Sequence, residues 1–127
     1  MRAVDTNVLV RLLARDDAEQ LKCAEAFVAK GAWVSHLVLA ETVWVLASVY
    51  DLTPRQIAIA IEMLLNHQNL VIDRAEVAAA ALQRFRLKPL LGYTDCLVLE
   101  AARSAGHLPL GTFDRGLAKL DGTQRLA

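Results

Sequence analysis

The chain has little with which to build a covalently stapled fold: of its 127 residues only Cys23 and Cys96 are cysteine, and they show no CxxC spacing. That excludes a disulfide framework and fits two small apolar thiols in a reducing compartment. Net charge is lacking too. Fourteen basic residues balance fourteen acidic ones, which excludes a protein that grips nucleic acid through a bulk positive field, so any such contact has to be local. No apolar run is long enough to span a bilayer, since the longest, "LVLAETVWVLASVY", is interrupted by Glu41. The opening "MRAVDTNVLV" carries an acid at position 5 and lacks the pattern of a signal peptide. A cytoplasmic protein without membrane association is expected. Neither GxGxxG nor a P-loop occurs, which removes two common uses of an α/β sheet. His36, His67 and His107 have no HxxxH or HxH spacing to suggest a zinc site.

What the chain does have is apolar residues, 55% of the total, with a mean hydropathy of +0.33. That suits one domain over residues 1–127 with apolar surface left for a partner. Short apolar runs closed by polar residues, "RAVD", "AWVS", "LVID" and "LPLGT", read as strands, with "TQRL" as a further edge strand. Helical patterns separate them. One runs from Asn7 to about Ala14 behind Asp5 or Thr6 as cap, a second lies in "DDAEQLKCAEAFVAKG", and a third, apolar nearly all round and so buried in the core or an interface, spans His36 to Tyr50. "TPRQIAIAIEMLLNHQ" opens with Thr53 as cap and Pro54 at the first helical position. "RAEVAAAALQRFRLKP" stops before Pro89, "YTDCLVLEAARSAG" starts at Thr94 or Asp95 and ends at Gly106, and "DRGLAKL" adds a short turn of helix. The alternation predicts an α/β fold, a central, mostly parallel sheet of 4–5 strands with helices on both faces.

Most acids fall on polar helix faces or at element ends, and four stand apart. Asp5 follows the first strand, Glu41 interrupts the most apolar helix, Asp95 opens a helix, and Asp114 follows the fourth strand. Open parallel sheets bind ligands beyond the carboxyl ends of their strands, where Asp5 and Asp114 fall. Asp95 can join them from its helix start, and a rise of 1.5 Å per residue keeps Glu41 within roughly 10 Å of the second strand's end. Asp5, Asp95 and Asp114 are each also acceptable helix N-caps. Glu41 has no such role, and no basic residue lies between Lys30 and Arg55 to pair with it locally. Two carboxylates about 4 Å apart repel by roughly 4 kcal/mol at an effective dielectric of 20, a penalty that a divalent cation removes. Oxygen-only ligands select Mg²⁺ or Mn²⁺ over Zn²⁺.

The blocks "AVDTNVLVRLL", "VSHLVLAETVWVL", "YTDCLVLEAARSAG" and "LPLGTFDRGLAKL", in this order and spacing, resemble the PIN-domain ribonucleases, most closely the VapC-type toxins of bacterial toxin-antitoxin modules. The resemblance implies a metal-binding catalytic site at Asp5, Glu41, Asp95 and Asp114, shaped by Asn7 and Thr112. It also implies a Mg²⁺- or Mn²⁺-dependent endoribonuclease leaving the phosphate on the 5′ side, a homodimer, and a cognate antitoxin protein as partner. Cys96 stands where such sequences often have Ala, and no histidine near it in sequence would activate it as a nucleophile.

Two basic groups are candidates for RNA phosphates: Arg11 and Arg15, on one helical face with Asn7, and Arg84, Arg86 and Lys88 ahead of Pro89. Each group reads equally as a solvated charged face. Trp33 and Trp44, in apolar settings, suit a core or an interface. A haloacid-dehalogenase-like phosphatase would need a second acid where Asn7 stands. A free-standing nuclease in RNA processing and a non-catalytic RNA- or protein-binding scaffold complete the alternatives.

Overall fold

A computed structural model describes all residues, 1–127, and its backbone separates into two compact units, Met1–Ala75 and Glu76–Ala127. In the first unit the order is β1 (Arg2–Ala3), α1 (Thr6–Ala14), α2 (Ala18–Val28), β2 (Ala32–Val34), α3 (His36–Ser48), α4 (Pro54–Asn66) and β3 (Leu70–Ile72). The strands pair in the order β1-β2-β3, all parallel, with Ala3 opposite Trp33 and Val34 opposite Ile72. Parallel neighbours require long crossovers, and the helical hairpins α1/α2 and α3/α4 supply them.

Local chemistry accounts for these boundaries. Asp17, Ser35 and Thr53 each accept a backbone N–H from the third residue on, and Thr53 forms a reciprocal capping box with Gln56 ahead of Pro54. The helices then bury Leu9, Val10, Val28, Leu39, Ile61 and Leu64. Arg11 ties the unit together by donating to Asp16 at 3.0 Å and to the Tyr50 hydroxyl at 2.9 Å, while that hydroxyl donates to Asp16 at 3.0 Å.

Helix α3 departs from expectation. Leu39, Val43 and Leu46 are buried, yet Leu37 and Trp44 are 84% and 64% exposed, and Trp33 on β2 is also exposed. An all-apolar helix therefore buries one stripe and shows the other, so the tryptophans are not core residues.

The second unit contains α5 (Ala75–Leu87, joined at its first residue), α6 (Tyr93–Ala105), β4 (Leu110–Thr112) and β5 (Thr123–Arg125). Single 3₁₀ turns at Pro89–Leu91 and Leu117–Lys119 precede α6 and β5. Strands β4 and β5 pair in parallel with each other. The strand pairings within each unit are parallel, a set of three in the first and a set of two in the second. Tyr93, fully buried, donates its hydroxyl to the Ala78 carbonyl at 2.9 Å and meets Phe85 edge-on, which binds α6 to α5. Gly106 ends α6 at φ +83°, a left-handed conformation that favours glycine. No helix is long and apolar enough to cross a membrane.

Candidate active site

In the first unit, Asp5 sits where β1 gives way to α1. Its carboxylate accepts the Val8 N–H at 3.4 Å, too long for a strong cap, and the residue is exposed. The neighbouring Thr6 is buried and donates its hydroxyl to Oε1 of Glu41, on α3. Glu41 is therefore an exposed carboxylate with a hydroxyl for a partner, where a local basic residue was sought and none occurs. Asn7, also exposed, lines a groove of about 670 Å³ with Arg11, Asp17, Gln20 and Cys23.

In the second unit, Asp95 is the third residue of α6, whose N-cap position belongs to Gly92 and carries no side-chain cap. The expectation that Thr94 or Asp95 caps this helix is corrected: the helix begins three residues earlier than a cap at Asp95 requires, because Gly92 at φ +81° turns the chain directly into Tyr93. Freed from capping, Asp95 has a carboxyl held above the usual range, first by partial burial and then by the charge of Asp114.

Asp114 follows β4 and is fixed by two hydrogen bonds: its own N–H donates to the Thr112 hydroxyl at 3.0 Å, and its Oδ1 accepts the Leu117 N–H at 2.8 Å. Gly116 leaves the room this needs, since a Cβ there would lie 3.0 Å from Leu91 and 3.3 Å from Asp114 Oδ1. Thr112 thus holds the backbone of Asp114 in place. Cys96 is buried, and burial together with the charge of Asp95 pushes its thiol up, which makes it a poor nucleophile.

The structure brings Asp95 and Asp114 into electrostatic contact and joins Glu41 to Thr6. It groups no three His, Cys, Asp or Glu side chains in a way that could hold a metal ion. The donors are all oxygen, which fits a hard cation such as Mg²⁺ or Mn²⁺ and does not suit zinc.

Of the predicted phosphate contacts, Arg11 is committed to Asp16 and Tyr50, Arg15 makes a loose 3.9 Å ion pair with Glu25, and Lys88 is exposed beyond the end of α5. Arg86 is exposed and engaged in contacts of its own. Arg84 binds Glu100 at 2.8 Å, and Arg103 approaches the same carboxylate at 3.4 Å. Sequence reading missed Thr6 as Glu41's partner, and it missed Glu100 and Arg103. The i,i+3 spacing of Glu100 and Arg103 was the one available signal for that pair.

Strands that end in acids, with a second acid at a helix start, define a class of α/β proteins that handle charged ligands. Within that class the PIN domain family matches residues 2–123, and the chain belongs to this family. PIN domains are generally metal-dependent nucleases, so a nuclease-type function follows at that level. No curated protein and no solved structure matches the chain.

Proposed function

We propose that this protein is an endoribonuclease that hydrolyses RNA phosphodiesters with Mg²⁺ or Mn²⁺ held by Asp5, Glu41, Asp95 and Asp114, and that it acts as the toxin of a toxin-antitoxin pair. The observation that carries the reading is the Asp95/Asp114 pair. Asp114 is fixed in place by the Thr112 hydroxyl, the Leu117 N–H and the space at Gly116, and its charge raises the Asp95 carboxyl, an arrangement that a shared cation would relieve. A divalent cation, when bound, neutralises charge on the phosphate and lowers the pKa of water.

The chain's own residues do the rest. Thr6 orients the Glu41 carboxylate, the Leu117 N–H orients that of Asp114 while Thr112 holds the Asp114 backbone N–H, and either Asp95 or Asp114 takes a proton from the attacking water. Asn7 presents an exposed amide next to Asp5 in sequence that can bond a phosphate or ribose oxygen.

The toxin role rests on the resemblance of the sequence blocks, and exposed apolar side chains support a partner. Ile59 and Met63 on α4 are 52% and 56% exposed beside Leu13, Leu46 and Leu52, a face suited to a second copy or to an antitoxin segment. The test is cleavage of RNA in Mn²⁺ or Mg²⁺, abolished by EDTA and by Asp5→Asn; cutting that persists in EDTA refutes the reading.

A further inference from the structure

Between α5 and α6 lies a polar cluster that the four acids do not explain. Glu100, one turn before the end of α6, has a side chain only 8% exposed, and it receives two arginines instead of one. The Nε of Arg84 meets Oε1 at 2.8 Å and the Nε of Arg103 meets Oε2 at 3.4 Å, so the cluster carries one positive charge beyond neutrality. A cluster that served only to pin α5 to α6 would need a single arginine. The second places two like charges side by side, an arrangement that favours an anion.

The geometry also leaves the right atoms free. Arg84 is anchored to Glu100 through Nε, so its contact to the carboxylate does not use the two Nη groups. Arg103 is anchored by donating Nη2–H to the Asp121 carbonyl at 2.8 Å, while its buried Nε stands 3.4 Å from Glu100 Oε2 as an ion-pair contact without a hydrogen bond. Gly122 permits this close approach, because a Cβ there would lie 3.0 Å from Arg103 Nη2. Both arginine side chains are about one-third exposed and border an open pocket of about 360 Å³. Gln83 and the exposed Leu87 line the same pocket, offering an amide and an apolar wall. Anchored guanidiniums lose little freedom on meeting a ligand, and paired donors of this kind match phosphate oxygens.

We propose that Arg84 and Arg103, held in place by Glu100, form an anion site that takes a backbone phosphate of a nucleic-acid strand. The proposal rests on the nuclease reading for the identity of the strand and gives a nearly neutral protein the local contact it needs. The neighbouring Leu87 then packs against a ribose or base. Glu100 is a positioning residue behind the two guanidiniums and does not touch the phosphate.

The full-length protein in EDTA is titrated with a short fluorescein-labelled single-stranded RNA. Arg84→Gln and Arg103→Gln should each weaken binding about tenfold, evenly across RNA sequences, and each should lower the slope of log affinity against log salt by about one. Arg84→Lys, which keeps the charge and loses the fork, should fall in between. The Nε–H resonances of Arg84 and Arg103 in the unaltered protein should shift on adding RNA, a readout independent of whether any variant folds. Unmoved resonances, or folded variants with unchanged affinity and salt slope, overturn the site. Equal affinity for polyglutamate, lost in the same variants, overturns its assignment to nucleic acid. RNA that is bound through these arginines and never cut, with Mn²⁺ restored, leaves the anion site standing and defeats the nuclease reading. Cutting that ignores both arginines does the reverse.

Discussion

The buried hydroxyl of Thr6 donates to the exposed carboxylate of Glu41, and so links the first turn of α1 to the middle of α3. Replacing it should do two separable things. Thr6→Val should cost about 1 kcal/mol of stability, the usual worth of such a bond, measured by thermal or denaturant melting. It should also lower RNA cleavage, because Glu41 is no longer oriented, whereas Thr6→Ser should retain most of both.

Asp95 should make metal-free stability depend on pH in a defined direction. Its folded pKa is raised, so the folded state holds the proton more tightly than the unfolded state. The stabilisation is fully present below the unfolded value near 4 and is lost as pH rises through the folded value. In EDTA, Asp95→Asn should therefore melt higher than the parent at pH 7, and the gain should vanish by about pH 3.5. A variant that melts lower at both pH values would show that Asp95 has a structural task instead.

Asp5 should separate activity from folding. Its cap to Val8 is long, and asparagine caps as well as aspartate, so Asp5→Asn should leave the metal-free melting temperature nearly unchanged while abolishing cleavage. Asp5→Ala should lose up to about 1 kcal/mol as well. Calorimetry with Mn²⁺ should show weakened binding in both.

Added Mn²⁺ or Mg²⁺ should raise the melting temperature in proportion to the logarithm of its concentration, since a ligand of the folded state alone stabilises it by mass action. The increment should shrink in Asp114→Asn and persist in Arg84→Gln. An increment unaffected by any of the four acids would place the cation elsewhere.

The exposed pair on α4 should report on partners. Ile59→Glu with Met63→Glu should leave the monomer folded, as surface changes do, and should shift a dimer to monomer in sedimentation. A parent protein that sediments as a monomer, and an antitoxin that binds the double variant unchanged, would remove this face from both interfaces.

Much of this was legible from residue order because it depends on local chemistry. Thr53-Pro54 announces a helix start, Gly106 a helix end, and short apolar runs closed by a charge announce strands. The strands "LPLGT" and "TQRL" were both legible, and their pairing as β4 and β5 was not, since parallel pairing joins segments that sequence does not set against each other. The start of α6 was misread because Asp95 has the chemistry of a cap while a left-handed glycine three residues earlier does the turning. Apolar pattern could not tell which side of α3 faces solvent, as both sides are apolar. The Thr6–Glu41 bond and the two arginines on Glu100 join separate helices and were invisible for that reason.

The exposure of Trp33 and Trp44 has a spectroscopic consequence. Both indoles belong to Met1–Ala75, and the residues from Glu76 onward contain none. Intrinsic tryptophan emission is therefore a reporter for one unit alone, and the exposure of Trp44 to water should red-shift it in the native state. Far-ultraviolet circular dichroism averages over helices of both. Denaturation curves that coincide by the two signals mean that the units melt as one cooperative body, and curves that separate assign the tryptophan transition to the unit carrying Asp5 and Glu41.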